Sequence, residues 1–122
     1  MSFYKTISVL KKINGNYVKI WETPITISGD YLTIKIKDLF NDDNKEILVS
    51  CLCGARSTSL FVYKWEGNSA KLLGKFIGDA IVGGIFVKKD EIIEEQYENI
   101  NYYKWNGREY KLYKKVATGR HW

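Results

Sequence analysis

The segment KWNGREYKL at residues 104–112 has two earlier counterparts in this chain, KINGNYVKI at residues 12–20 and KWEGNSAKL at residues 64–72. All three begin with Lys, a large apolar residue, Asn or Glu, and Gly. All three end, after three variable residues, with Lys and an aliphatic residue. Several spaced matches, found three times in 122 residues, indicate a repeated structural unit.

Each copy has the features of a β-hairpin. Gly15, Gly67 and Gly107 can adopt positive φ without steric cost, and Asn14 and Asn106 tolerate the same region. The flanking residues alternate between apolar and polar types, as they do in strands that have one buried face. We therefore predict a tight turn at each glycine with a strand on either side.

The turn glycines are 52 and then 40 residues apart, close to the length of a four-stranded propeller blade. This spacing leaves room for two more strands in each of the last two units. We predict them at residues 31–37 and 46–52, and at residues 81–88 and 91–97. The helix-forming residues within 90–100 leave a helix open there. The sequence thus predicts one all-β repeat domain over residues 1–122, with a hairpin at 3–27 and four-stranded antiparallel units at 30–76 and 79–116.

Composition agrees with an all-β fold and permits several kinds of partner. Hydrophobic residues make up 45% and aromatic residues 15%, which suits half-buried pleated sheets. The net charge of +5 is uneven, with an acidic segment at 90–98 and a basic segment at 104–120. A basic surface of this kind allows attraction to nucleic acid or another anionic polymer.

Residues 38–49, DLFNDDNKEILV, resemble the core of FG-GAP or VCBS repeats, also called integrin-type propeller repeats, whose consensus is roughly D-L-N-G-D-G-x-x-[DE]-[IL]-V-V. The hairpin LFVYKWEG at residues 60–67 resembles the one that closes such a blade. About two and a half repeats are covered, and the second copy, at Asp90, is degenerate. The resemblance implies a β-propeller architecture, often extracellular, that is used for adhesion or ligand binding.

The same resemblance implies a calcium site in this loop. Asp38, Asp42 and Glu46 match the first, fifth and ninth ligand positions, whereas Phe40 stands where an Asp or Asn ligand belongs and Asp43 replaces a Gly. Calcium requires six to eight oxygen ligands, so the loss of one weakens the site. The alternative is a tight polar turn in which Asp38 and Asn41 accept backbone N–H groups.

The sequence has little that catalysis requires. The one histidine, His121, is next to the C-terminus, which argues against a Ser–His–Asp or Cys–His arrangement. No phosphate-binding glycine loop is present. Carboxylates are plentiful, but their spacing does not single out a pair for glycoside hydrolysis. We therefore expect a non-enzymatic module.

The candidate ligand-binding residues are aromatic or basic. Arg56 lies in a loop whose N–H groups and hydroxyls suit an anion. Trp65, Tyr103, Trp105 and Lys111 lie in aromatic, lysine-rich segments that suit stacking on sugar rings or single-stranded nucleic acid. The alternative places these aromatics in the core. The leading prediction is a module that binds a protein or glycan ligand, with nucleic-acid or anionic-polymer binding as the alternative.

Oligomeric state and location are further expectations. A closed propeller needs about four blades or more, so two and a half units favour a homo-oligomer, with a dimer first. No apolar run reaches the length of a membrane-spanning helix. Cys51 and Cys53 are expected to be unpaired and the start lacks a secretory pattern, which favours the cytoplasm. An extracellular location would apply if a signal has been removed.

Overall fold

The computed structural model describes residues 3–27, 32–52 and 56–120, and this part of the chain is all-β, with strands and no helix. The strands, numbered in chain order, are β1 (Phe3–Ile13), β2 (Asn16–Ile27), β3 (Leu32–Lys37), β4 (Glu46–Leu52), β5 (Ser57–Trp65), β6 (Ala70–Asp79), β7 (Gly84–Lys88), β8 (Glu91–Glu95), β9 (Asn99–Trp105) and β10 (Tyr110–Ala117).

The strands form three antiparallel sheets in which neighbours in sequence are neighbours in space. The hairpin consists of β1 and β2, sheet I has the order β3-β4-β5-β6, and sheet II has the order β10-β9-β8-β7. The predicted fold class, all-β with four-stranded antiparallel units after a hairpin, is confirmed.

Sheets I and II share several features of strand pairing. Glu46 pairs with Lys64 in sheet I, and Glu91 pairs with Lys104 in sheet II. In both sheets a backbone N–H of the hairpin tryptophan, Trp65 or Trp105, donates to the residue before the paired glutamate, at 3.1 and 2.7 Å. The register also shifts at the same place, between Val62 and Tyr63 in sheet I and between Leu112 and Lys114 in sheet II.

The turn glycines have the predicted positive φ, but the three turns are not alike. The first hairpin has a two-residue turn, Asn14 (φ 51°) and Gly15 (φ 83°), between paired residues Ile13 and Asn16. In the later units, Gly67 and Gly107 (both φ 95°) lie in four-residue loops. Asn106 caps its loop through its side chain, because its Oδ1 accepts the N–H groups of Arg108 and Glu109 at 3.0 and 2.9 Å.

Two strand boundaries differ from the prediction. The strand predicted at 81–88 begins at Gly84, since the N–H groups of Val82 and Gly83 donate to the Asp79 carbonyl and close a turn. The strand predicted at 91–97 ends at Glu95, because Gln96 donates its N–H to Asn99 across a short loop. Tyr31 lies outside the described residues.

Sheet I lies between the hairpin and sheet II, and each contact has its own core. The hairpin side contains a cluster of buried residues: Ile7, Ile25, Ile47, Val49, Cys51 and Tyr63. The sheet II side contains a second cluster: Leu39, Leu48, Leu60, Val62, Phe76 and Ile92. The continuously apolar strand β4 is therefore covered on both faces, as its sequence predicts.

Backbone and side-chain contacts fix the seam between sheets I and II. A Cβ added to Gly78 of β6 would come within 2.3 Å of the Gly84 carbonyl oxygen, so the two backbones touch. Nearby, Ile77 on the edge of sheet I donates its N–H to Glu94 at 2.8 Å and accepts from the Gln96 amide at 3.0 Å. The side chains of Glu94 and Gln96 thus form hydrogen bonds with backbone groups of an edge strand that would otherwise lack partners.

The expectation of unpaired cysteines is wrong for Cys51. Its side chain is buried as expected, at 3% exposure, but its sulfur takes part in a disulfide. Cys53 lies outside the described residues.

Candidate functional site

Two grooves lie at opposite ends of the seam between sheets I and II. The larger, here called the Arg56 groove, has a volume of about 450 Å³ and lies where β5 and β9 begin. The smaller, here called the Trp105 groove, has a volume of about 370 Å³ and lies where β9 ends. Both volumes are within the range of ligand-binding clefts.

An ion pair anchors one wall of the Arg56 groove. Arg56 precedes β5 and Asp79 ends β6, and strand pairing places Ser57 opposite Asp79. The Arg56 Nε and Nη2 atoms donate to the two Asp79 carboxylate oxygens at 3.2 and 2.6 Å, which is a bidentate arrangement. These hydrogen bonds lower the pKa of Asp79 below its usual value. The Asp79 carboxylate is therefore ionised at neutral pH.

Two arginines lie against the ring of Tyr97, in the loop between β8 and β9. The guanidinium carbons of Arg56 and Arg120 are 5.4 and 5.5 Å from the ring centroid, within the range of cation–π contacts. Arg120 Nε and Thr118 Oγ1 donate to the Tyr97 carbonyl at 2.8 and 2.7 Å. These bonds tie the C-terminal segment after β10 to the groove.

Polar groups of both signs complete the Arg56 groove. Its lining comprises Arg56, Ser57, Ile77, Gly78, Asp79, Gln96, Tyr97, Glu98 and Asn99. Such a lining offers hydrogen-bond donors and acceptors together with one aromatic ring. It suits a ligand rich in hydrogen-bonding groups, such as a sugar or a peptide backbone.

Stacked aromatic rings form the Trp105 groove. Phe40, from the loop between β3 and β4, stacks on Trp105 with centroids 4.6 Å apart and planes 15° apart. Tyr110 packs against Trp105 at 5.1 Å. The rest of the lining is Leu39, Asn41, Lys89 and Asp90. Phe40, at the position of a missing calcium ligand, therefore serves packing between sheets I and II.

The acidic loop folds as a polar turn. Asp38 accepts the N–H groups of Asp42 and Asp43 at 3.1 and 2.9 Å, and Asp42 accepts that of Asn44 at 3.0 Å. Glu46 accepts the N–H of Leu39 at 2.8 Å. No group of three or more acidic, cysteine or histidine side chains among the described residues is placed to hold a metal ion. Asp38, Asp42 and Glu46, the predicted calcium ligands, each accept a backbone N–H group within the loop in this structure.

Two buried oxygens in this region have no hydrogen-bond partner among the described residues. They are Oε2 of Glu46, a fully buried residue, and the Tyr110 hydroxyl. Burial raises the pKa of Glu46, and the nearby charges of Asp42 and Asp38 raise it further. Burial and the charge of Glu46 likewise raise the pKa of Tyr110.

The five predicted ligand-binding residues do not form one surface. Arg56 lines the larger groove and Trp105 the smaller one, at the opposite end of the seam. Trp65 packs against the hairpin-side core beside Trp21, and Tyr103 packs edge-on against Phe76 between sheets I and II. Lys111 is exposed, with a 3.6 Å ion pair to Glu109. The alternative, that the aromatics belong to the core, describes Trp65 and Tyr103.

Sequence reasoning missed Asp79, Tyr97 and Arg120, which complete the Arg56 groove. They are 18 to 41 residues apart in sequence and belong to no repeated motif. A partial signal was available, since Asp79 and Tyr97 flank the predicted strands of the third unit. Only the pairing of β5 with β6 and the turn after β8 bring them to Arg56.

The described residues contain no helix with the length and apolar character needed to cross a membrane. Comparison of the chain with models of known protein families, with curated proteins and with solved structures finds no match.

Proposed function

We propose that this protein is a non-enzymatic interaction module of propeller-repeat type, which binds a protein or glycan ligand in the Arg56 groove. The observation that carries the proposal is the fixed set of polar groups around Tyr97. Arg56 is held by Asp79, and Arg120 is held by backbone carbonyls, so both guanidinium groups are in place before a ligand arrives. Such preorganisation reduces the entropy lost on binding.

The chemistry of the groove supports binding over catalysis. Asp79 accepts hydrogen bonds from Arg56, and these lower the pKa of its carboxyl group. Asp79 is therefore a poor proton donor. The other lining carboxylate, Glu98, is exposed. A glycosidase needs one carboxyl group whose pKa is raised so that it can act as an acid. Asp79, whose pKa is lowered, lacks that character.

The test is an NMR titration of the ¹⁵N-labelled protein with a panel of neutral and acidic oligosaccharides and with unstructured peptides. We expect the amide signals of Ser57, Gln96 and Asn99 to shift with at least one probe. Asn99→Trp, which fills the groove, should weaken that binding at least about tenfold, the equivalent of about 1.4 kcal/mol. Lys89→Trp, in the Trp105 groove, is the matched control and should bind normally.

Retained binding in the Asn99→Trp variant, with its fold verified by circular dichroism, would contradict the groove assignment. The absence of shifts at these three amides with every probe would contradict it as well.

A second candidate function, binding of nucleic acid or another anionic polymer, is favoured by strand β10. Lys111, Lys114 and Lys115 are exposed on this edge strand, and Lys114 Nζ lies 5.2 Å from the ring centroid of Tyr102. A labelled single-stranded oligonucleotide added to the same titration distinguishes the candidates. Binding through β10 should fall steeply as salt rises, because phosphate contacts release counterions, and it should be unaffected by Asn99→Trp.

Self-association is the remaining part of the proposal. The chain supplies a hairpin and two four-stranded sheets, and a stack of this kind has two end faces. Repeated units need partners or polar caps on their end faces. A homodimer in which an end face is covered is therefore the favoured assembly.

A further inference from the structure

The outer face of sheet II, which points away from sheet I, carries a group of apolar side chains that neither of the other two described sheets covers. Within sheet II itself, the ring of Tyr113 and the Lys114 Nζ lie 6.1 and 5.2 Å from the ring centroid of one of them, Tyr102. Phe86 is 46% exposed and Val116 is 36% exposed. Ile93, Ile100 and Tyr102 are half-buried. Cross-strand pairing places Phe86, Ile93 and Tyr102 in one row across β7, β8 and β9. We call these five residues the open face.

The matching face of sheet I is fully covered. The register that equates Glu46 with Glu91 also equates Leu48, Leu60, Val62 and Phe76 with Ile93, Ile100, Tyr102 and Val116. The four residues of sheet I are only 0–5% exposed, because Ile92 and other residues of sheet II pack on them. In sheet I this face is therefore a docking surface for another sheet.

One position suggests that the open face is adapted to a partner of its own. Phe86 pairs with Ile93 in sheet II, and the equivalent pairing in sheet I joins Lys35 to Leu48. Lys35 is exposed. Sheet II has an aromatic ring at the same position, which extends the apolar row by one residue.

The opposite end of the stack is different, because the outer face of the hairpin is mostly polar. Thr6, Ser8, Glu22 and Pro24 form two exposed cross-strand pairs there. Towards the turn, the same face carries Leu10, which pairs with Lys19, and Tyr17, which pairs with Lys12, and these are 55% and 70% exposed. Terminal units of repeat proteins commonly have such a polar outer face. The described chain thus has one capped end and one apolar end.

We propose that a second copy of this chain covers the open face, so that two copies pack sheet II against sheet II about a two-fold axis. The inference deepens the homodimer part of the proposed function and rests on it. The capped hairpin is a poor partner for an apolar face. Of the two end faces among the described residues, the open face of another copy is the more apolar one.

The charges around the open face suit a two-fold pairing. Lys88, Glu91 and Lys104 form one cross-strand row beside the apolar residues, and Glu95 lies on the other side of them. Because both signs are present on one face, lysines of one copy can meet glutamates of the other. An isologous interface requires such self-complementarity.

The size of the face sets the expected affinity. Four strands about 4.8 Å apart and about 20 Å long give a face of roughly 400 Å² in projection. This is less than the roughly 800 Å² that each partner buries in a standard interface. We therefore expect a dimer that dissociates in the micromolar range and is visible only when concentration is varied.

Sedimentation velocity of the full chain, from low micromolar to near-millimolar concentration, tests the inference. The wild-type mass should rise from one chain to two. Phe86→Glu and Val116→Lys should each remain at the mass of one chain at concentrations where the wild type is mostly dimeric. Ile36→Glu is the matched control, since Ile36 is 65% exposed on the edge strand of sheet I, and it should dimerise like the wild type.

A wild-type chain that stays at the mass of one chain throughout would overturn the inference, as would dimerisation of both Phe86→Glu and Val116→Lys. Loss of the dimer in Ile36→Glu alone would place the interface on β3 and also overturn it. The groove variant Asn99→Trp separates this result from the ligand-binding proposal, because it should lose ligand and still dimerise.

Discussion

Glu46 illustrates how one side chain can both support and burden the fold. One of its carboxylate oxygens accepts the N–H of Leu39 and thereby holds the start of the acidic loop. The other is buried without a partner among the described residues. A buried charged oxygen that lacks hydrogen bonds is costly. The residue thus fixes a loop while its charge opposes folding.

Replacement of Glu46 by Gln should stabilise the protein at pH 7. Because the pKa of Glu46 is raised, the folded state holds the proton more tightly than the unfolded state does. The stabilising contribution of this group is then present at low pH and is lost as pH rises through the raised pKa. Gln keeps the acceptor for Leu39 and removes the charge. We expect a gain of about 1–3 kcal/mol in the free energy of unfolding, measured by urea denaturation, which disappears near pH 4.

Glu46→Ala is the control for this prediction. It removes the acceptor of Leu39 as well as the charge, so it should destabilise the protein at every pH. A Gln variant less stable than the wild type at pH 7 would show that the carboxylate has a favourable partner in solution, such as a cation.

The role of Phe40 shows where residue-level prediction fails. The sequence assigns the acidic loop from its spacing, and the alternative of a polar turn correctly anticipates that Asp38 accepts backbone N–H groups. Nothing in the loop indicates that Phe40 stacks on Trp105, which lies 65 residues later. That contact depends on how sheet II packs on sheet I, and hydrophobic periodicity contains no information about it.

At the scale of elements, the seam between β6 and β7 depends on the absence of a side chain at Gly78. A Cβ there would lie 2.3 Å from the Gly84 carbonyl oxygen and 2.5 Å from its carbon, which are backbone atoms and cannot move aside freely. The close approach lets Glu94 and Gln96 reach Ile77 across the seam.

Gly78→Ala should therefore separate sheets I and II locally. We expect a loss of about 1–3 kcal/mol or more in the free energy of unfolding, as for other overpacked sites. Thermal and urea unfolding measure the loss. Gly107→Ala provides the comparison, because its Cβ would meet nothing within 4 Å and only its positive φ carries a cost, about 1–2 kcal/mol. An equal or smaller loss at Gly78 would mean that the seam is not tightly packed in solution.

Elements were predictable to the extent that local chemistry determines them. The three glycine turns and the pattern of strands follow from turn residues and alternation. The two-residue form of the first turn was not predictable from the shared motif, because Asn14 and Asn106 occupy the same motif position but only Asn14 has positive φ. The Arg56 groove could not be predicted from the sequence either, because contacts between residues far apart in the chain assemble it.

The whole molecule is a stack with two separate cores, so its stability need not be uniform. Trp21 joins the hairpin to sheet I through edge contacts with Tyr63 and Trp65, at centroid distances of 5.5 and 6.4 Å. None of these residues touches the second core, which lies on the other face of sheet I.

Trp21→Ala should loosen the hairpin without loosening sheet II. We expect a loss of about 2–3 kcal/mol, from two aromatic contacts and partly buried area. Hydrogen exchange should accelerate at amides of β1 and β2 and stay unchanged in β7 to β10. The converse variant, Trp105→Ala, should affect the acidic loop and sheet II. Uniform acceleration in both variants would indicate that the stack unfolds as one cooperative unit.

The polar outer face of the hairpin limits how many chains can join one assembly. Two chains that meet through their open faces leave only hairpins at the two extremities of the pair, and these expose Thr6, Ser8, Glu22 and Pro24 to water. Heterologous contacts that do not close lead to fibres. A two-fold contact uses the same surface on both chains, so that surface is no longer free to bind a third chain. An assembly of this kind would terminate at two chains, and crowding in a concentrated solution would not drive it to polymerise.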